Sequence, residues 1–149
     1  MSSSISQRSS SQSLTFVFSA FVLSLIATLG SLFFSEIMNF VPCSLCWYQR
    51  IFMYPLVFLF SINLLFPDEK IFKYTFPITF VGWIISIYHN LLMFKIIPEN
   101  LSPCIQGVPC SVDYLNLFGF ITIPLLSFFS YTIILILLIV LRKENYNEK

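Results

Sequence analysis

The sequence predicts an all-α membrane protein: a four-transmembrane-helix bundle, up-down-up-down, with both termini cytoplasmic. Three observations lead there. Hydrophobic residues make up 57% of the 149-residue chain and charged ones 10%, far below the ~25% charged of soluble domains. Four apolar runs, each long enough to cross ~30 Å of hydrocarbon as a helix, are separated by polar connections. Lysine and arginine then fall unevenly on the two sides that this threading defines.

Residues 1–13 are mostly serine and glutamine with one charge, Arg8, the composition of a disordered tail. The first span covers 14–34. It is too long for a secretory signal and ends in Phe33-Phe34-Ser35-Glu36 without a small-x-small cleavage site, so a retained anchor is expected. The second span, 47–66, is interrupted only by Arg50 and Pro55. Pro67-Asp68-Glu69-Lys70 makes a short polar turn. The third span, 74–94, carries His89, and the fourth, 118–141, is stopped by Arg142-Lys143 ahead of a short tail at 142–149. The spans form one transmembrane domain, 14–141. Gly30, Gly82 and Gly119 are expected to allow close helix approach, and Trp47, Tyr48 and Tyr54 to anchor the interface. A net charge of +1 argues against an acidic partner or a nucleic acid, and the 18 phenylalanines suit lipid contact.

Six cations (Arg8, Lys70, Lys73, Arg142, Lys143 and Lys149) lie on one side, against Arg50 and Lys95 on the other. The richer side is expected to be cytoplasmic. All four cysteines then fall in the outer connections, where disulfides persist. Four cysteines allow three pairings and sequence alone does not choose, although proximity favours Cys43 with Cys46 and Cys104 with Cys110.

Cys43 and Cys46 stand at or just before the first turn of the second span, where unpaired N–H groups and the helix dipole favour a thiolate. That placement suggests a redox pair able to pass electrons from protein thiols to a carrier dissolved in the lipid. A static disulfide is the plainer reading. A zinc site built from Cys-x2-Cys and Cys-x5-Cys is disfavoured by the lipid-adjacent, oxidising setting, and no metal is expected. Arg50, four residues after Cys46, projects from the same helix face. It either snorkels to the headgroups or holds a quinone oxygen and offsets negative charge on the nearby sulfur. His89 is expected at a similar depth on the third span, serving the same site or merely packing. Cys104 and Cys110 enclose five residues in a long outer connection, either as a staple or as an exchangeable bond.

Ala27 to Glu36, then Pro42-Cys-Ser-Leu-Cys-Trp-Tyr-Gln-Arg50 through Pro55, together with Tyr88-His89-Asn90 and the Pro103-Cys104 to Pro109-Cys110 loop, resemble the DsbB family of membrane thiol oxidases, in its short-loop BdbC type. The likeness covers all but the two tails. It implies a multi-pass bacterial plasma-membrane enzyme, a thiol:quinone oxidoreductase that supports disulfide formation in exported proteins. An extracytoplasmic thioredoxin-fold thiol oxidase of the DsbA or BdbD kind would attack the Cys104–Cys110 disulfide at Cys104. Electrons would pass to Cys43–Cys46, and Cys46 would face a quinone, menaquinone rather than ubiquinone, with Arg50 as its electrostatic partner and His89 beside it.

Two other readings compete. An epoxide-reducing enzyme like the vitamin K epoxide reductases is expected to carry its Cys-x-x-Cys in a later helix, not at the start of the second. A non-catalytic tetraspan adaptor would use its disulfides only as staples.

Overall fold

In the computed structural model, residues 2–39, 41–68, 70–97 and 122–147 are described. The elements are α1 (Ser2–Leu32), ending in a π-helical turn (Phe33–Ile37), α2 (Ser44–Leu65), α3 (Ile71–Met93) and α4 (Ile123–Asn147). No strand occurs among the described residues. All four helices are long and apolar enough to cross a membrane. Each packs on its chain neighbours, and α4 closes the ring against α1, the arrangement of an up-and-down bundle.

Helix boundaries differ from the sequence expectation. α1 reaches back to Ser2, into the stretch expected to be a disordered tail; no glycine or proline interrupts 2–29, so helical propagation meets no barrier. The described part of the fourth helix starts at Ile123, and residues 118–121 of the expected span lie outside the described residues. α2 starts at Ser44, which draws Cys46 into its first turn. Both α2 and α3 continue through a proline, Pro55 and Pro77, each of which removes one helical N–H.

Several hydroxyl side chains within the spans find partners in their own helix, as a medium without water favours. Thr75, Thr79, Ser86 and Thr132 hydroxyls donate to backbone carbonyls three or four residues earlier. The α2–α3 turn is closed by Asn63, whose amide donates to the Asp68 carbonyl, while the Asp68 carboxylate accepts the Lys70 N–H. The main core is built on Leu56, Phe60, Tyr131, Ile134 and Leu138.

Of the glycines expected at close helix contacts, Gly82 is one. A Cβ there would stand 2.5 Å from the Tyr131 ring. Gly30 is not: nothing lies within 4 Å of its Cβ position, and it forms part of a cavity wall instead. Gly119 lies outside the described residues.

Candidate active site

The ends of α1 and α3 and the starts of α2 and α4 meet at one end of the bundle. Cys43 is the N-cap of α2. Its backbone is extended (φ −69°, ψ 167°), and its sulfur accepts the Cys46 N–H at 3.4 Å. A sulfur thus takes the place usually held by a serine or aspartate oxygen. The two cysteines are free thiols with Sγ atoms 2.8 Å apart. They sit with Leu45 and Leu92 in a small apolar cluster flanked by Ile85, Tyr88 and Ile97.

His89, on α3, is 1% exposed. Its Nε2 lies 3.7 Å from Cys43 Sγ and its Nδ1 lies 3.3 Å from the Gln49 side-chain nitrogen. Gln49 Oε1 accepts the Ser127 hydroxyl of α4 at 3.1 Å, and the Gln49 main-chain carbonyl accepts the Tyr131 hydroxyl at 2.7 Å. A polar path therefore runs from the sulfur across α3 and α2 to α4. Asn90 holds the α3–α4 junction beside it, its amide donating to the Ser86 and Pro124 carbonyls.

Negative charge at Cys43 is strongly favoured. Its pKa is lowered from 9.0 to about 4, chiefly by the hydrogen bond from Cys46. Burial opposes the shift, and His89 and the Cys46 N–H add to it.

Arg50 is 9% exposed. One terminal nitrogen donates to the Ser31 carbonyl at 2.8 Å, and the guanidinium lies over the Trp47 ring at 5.4 Å. Its Nε has no hydrogen-bond partner, nor has the Thr28 hydroxyl. Thr28 stands three residues before Ser31, on the same face of α1. Arg50, Thr28, Cys43, Cys46, Gln49 and His89 all line one cavity of ≈ 270 Å³. The rest of its wall is mainly apolar and includes Ile26 of α1 and Leu126 of α4, both about half exposed on the outside of the bundle.

The structure thus brings Cys43, Cys46, Arg50 and His89 to one cavity. Cys104 and Cys110 lie outside the described residues. Tyr54, expected as an interface anchor, lines the cavity instead, while Trp47 and Tyr48 are exposed. Sequence reading missed Gln49, Thr28, Ser127 and Tyr131. Gln49 carried a signal, since it is an uncharged polar residue inside an apolar run, one helical turn after Cys46. The hydroxyl residues carried none, because most such groups in a membrane helix only satisfy their own backbone. The Cys43, Cys46 and His89 ligand atoms also lie within 4.8 Å of one another, a donor set with an affinity for soft metals when reduced.

Comparison with known proteins places the chain in a family. Residues 13–141 match the family model described as disulfide bond formation protein DsbB. The chain is 46% identical over 132 residues to disulfide bond formation protein C of Bacillus subtilis, covering 89% of this chain and 96% of that one. It is 47% identical over 120 residues to probable disulfide formation protein C 2 of Bacillus cereus, covering 80% and 85%. A probable disulfide formation protein of Metapseudomonas resinovorans is 38% identical over 125 residues, covering 83% and 87%. No solved structure matches. With its family model spanning all four helices and its relatives aligned over nearly their whole length, the chain belongs to the DsbB family of disulfide bond formation proteins.

Proposed function

We propose that this protein is a thiol:quinone oxidoreductase of the bacterial plasma membrane that reoxidises an extracytoplasmic thioredoxin-fold thiol oxidase. Its cysteine-bearing end faces outward and both termini face the cytoplasm, as the distribution of lysine and arginine favours.

The observation that carries the reading is the convergence of Cys43, Cys46, Arg50 and His89 on one mainly apolar cavity. A guanidinium there can hold a carbonyl oxygen and offset negative charge developing on it. The mainly apolar wall and the exposed Ile26 and Leu126 beside it suit a flat ring carried on a lipid tail and entering between α1 and α4. A quinone, menaquinone in the first instance, has these properties, and when bound it accepts two electrons and two protons.

The chain's own residues divide the remaining work. Attack by the partner's thiolate on a Cys104–Cys110 disulfide forms a mixed disulfide at Cys104 and releases Cys110. The partner's second thiol closes its own disulfide, leaving Cys104 and Cys110 as a dithiol. Exchange with the Cys43–Cys46 disulfide restores the outer bond and leaves the inner pair reduced. Cys43 then holds negative charge through the Cys46 hydrogen bond and His89, while Arg50 supplies fixed positive charge beside Cys46. Closing Cys43–Cys46 again gives up two electrons and the one remaining thiol proton, that of Cys46; these pass to the quinone together with a second proton from water, equal to the one released when Cys43 ionised.

Two experiments test this. A Cys110→Ala variant is expected to accumulate a mixed disulfide between Cys104 and a thioredoxin-fold protein. Arg50→Ala is expected to slow quinone-dependent reoxidation of the inner pair while leaving membrane insertion intact. Unchanged reoxidation kinetics in Arg50→Ala would rule out the role given to that residue, and the absence of any Cys104 adduct would rule out the partner.

A further inference from the structure

Gln49 is 6% exposed and is held from two sides: Ser127 donates to its side-chain oxygen, and Tyr131 donates to its main-chain carbonyl. With Oε1 taken by Ser127, the side-chain NH2 group points at His89 Nδ1, 3.3 Å away. An amide NH2 has only hydrogens to offer, so in this orientation Nδ1 is the bare, accepting nitrogen. A neutral imidazole has one N–H, which then sits on Nε2, the atom 3.7 Å from Cys43 Sγ.

We propose that Gln49 is a positioning residue that selects the Nε2–H tautomer of His89, so that the ring presents a donor to the Cys43 sulfur, with Ser127 keeping the amide from turning over. The inference deepens the thiol:quinone reading, since it says how the inner pair is kept ready to carry negative charge. The geometry also explains why an amide suits this position. A carboxylate here would accept only, would draw a proton onto Nδ1, and would add a negative charge close to the sulfur. A turned amide would present its oxygen to Nδ1 and leave Nε2 a lone pair facing the sulfur. The Ser127 hydroxyl stands against that alternative, although it has a second acceptor within reach, the Pro124 carbonyl at 2.9 Å.

His89 is the one histidine in the chain, so ring-15N labelling of histidine gives a single pair of nitrogen signals from the full-length protein in detergent. The measurement uses a Cys104→Ser, Cys110→Ser background with the inner pair reduced, at a pH where the ring is neutral. Nε2 is expected to give the protonated, pyrrole-type signal and Nδ1 the pyridine-type signal. In Gln49→Glu, Nδ1 is expected to acquire a proton. In Ser127→Ala, which keeps the Tyr131 bond to the Gln49 main chain, the pyridine-type Nδ1 signal is expected to lose intensity as the amide turns. A protonated Nδ1 in the parent protein, or unchanged ring signals in Gln49→Glu, would overturn the proposal. If Gln49→Glu does not fold, an unchanged Nδ1 signal in Ser127→Ala overturns it. No quinone or partner protein enters the experiment, so its failure is separate from failure of the thiol:quinone reading.

Discussion

His89 reaches the first cysteine of the pair: its Nε2 lies 3.7 Å from Cys43 Sγ. Family resemblance directs attention to Cys46 as the quinone-facing sulfur, with Arg50 as its partner. The geometry adds a second role, in which Cys43 caps α2 and carries the negative charge while Cys46 donates to it. Both sulfurs line the cavity, so the two roles are compatible.

The first prediction concerns pH. Cys43 is held at about 4 against an ordinary 9.0, so the reduced pair keeps a thiolate well into acid. With the outer pair replaced by serine, reaction of Cys43 with a small uncharged alkylating reagent is expected to stay nearly constant from pH 8 down to about 5 and to fall as the pH drops through about 4. In Cys46→Ala the inflection should move up, because the Cys46 hydrogen bond is the largest cause of the shift. Linkage follows the same sign. A lowered folded-state pKa stabilises the reduced fold fully above ~9, and that contribution is lost as the pH falls through about 4. Thermal melts of the reduced protein across this range check it.

A second prediction addresses Thr28. Thr28→Val keeps the shape and removes the unpartnered hydroxyl. A buried hydroxyl without an acceptor costs ~1–3 kcal/mol, so the variant is expected to melt at a higher temperature in detergent, with membrane insertion unchanged. An equal or lower melting temperature would show that the hydroxyl finds a partner in the membrane-embedded protein.

Gly82 offers a test of packing. Gly82→Ala places a methyl group 2.5 Å from the Tyr131 ring, which must then shift and release the Gln49 carbonyl. The expected cost is ~1–3 kcal/mol of stability, read as a lower melting temperature in detergent. Tyr131→Phe in the same background should add less than it does alone, because the two changes act on one contact.

Sidedness can be read by labelling. With all four native cysteines replaced by serine, a cysteine introduced at Phe66, on the α2–α3 turn, should react with a membrane-impermeant maleimide only after the membrane is opened. One introduced at Val41 should react in intact cells. The reverse pattern would invert the proposed topology.

Much of this protein is written along the chain. Apolar run length decided that Leu14, Trp47, Tyr74 and Ile123 belong to spans, since hydrocarbon thickness sets how many contiguous apolar residues a helix needs. Cys43, Cys46 and Arg50 were legible for the same reason, as they stand close together in sequence and are out of place beside lipid. Hydropathy does not define how each helix is rotated, because a span apolar on every side has no strongly preferred face. Only the tertiary structure decided that Gln49 meets His89 and Ser127, that Gly82 admits Tyr131, and that Arg50 reaches the Ser31 carbonyl. Each of those contacts joins residues on different helices, and their meeting depends on side-chain packing between elements that composition and spacing describe only one at a time.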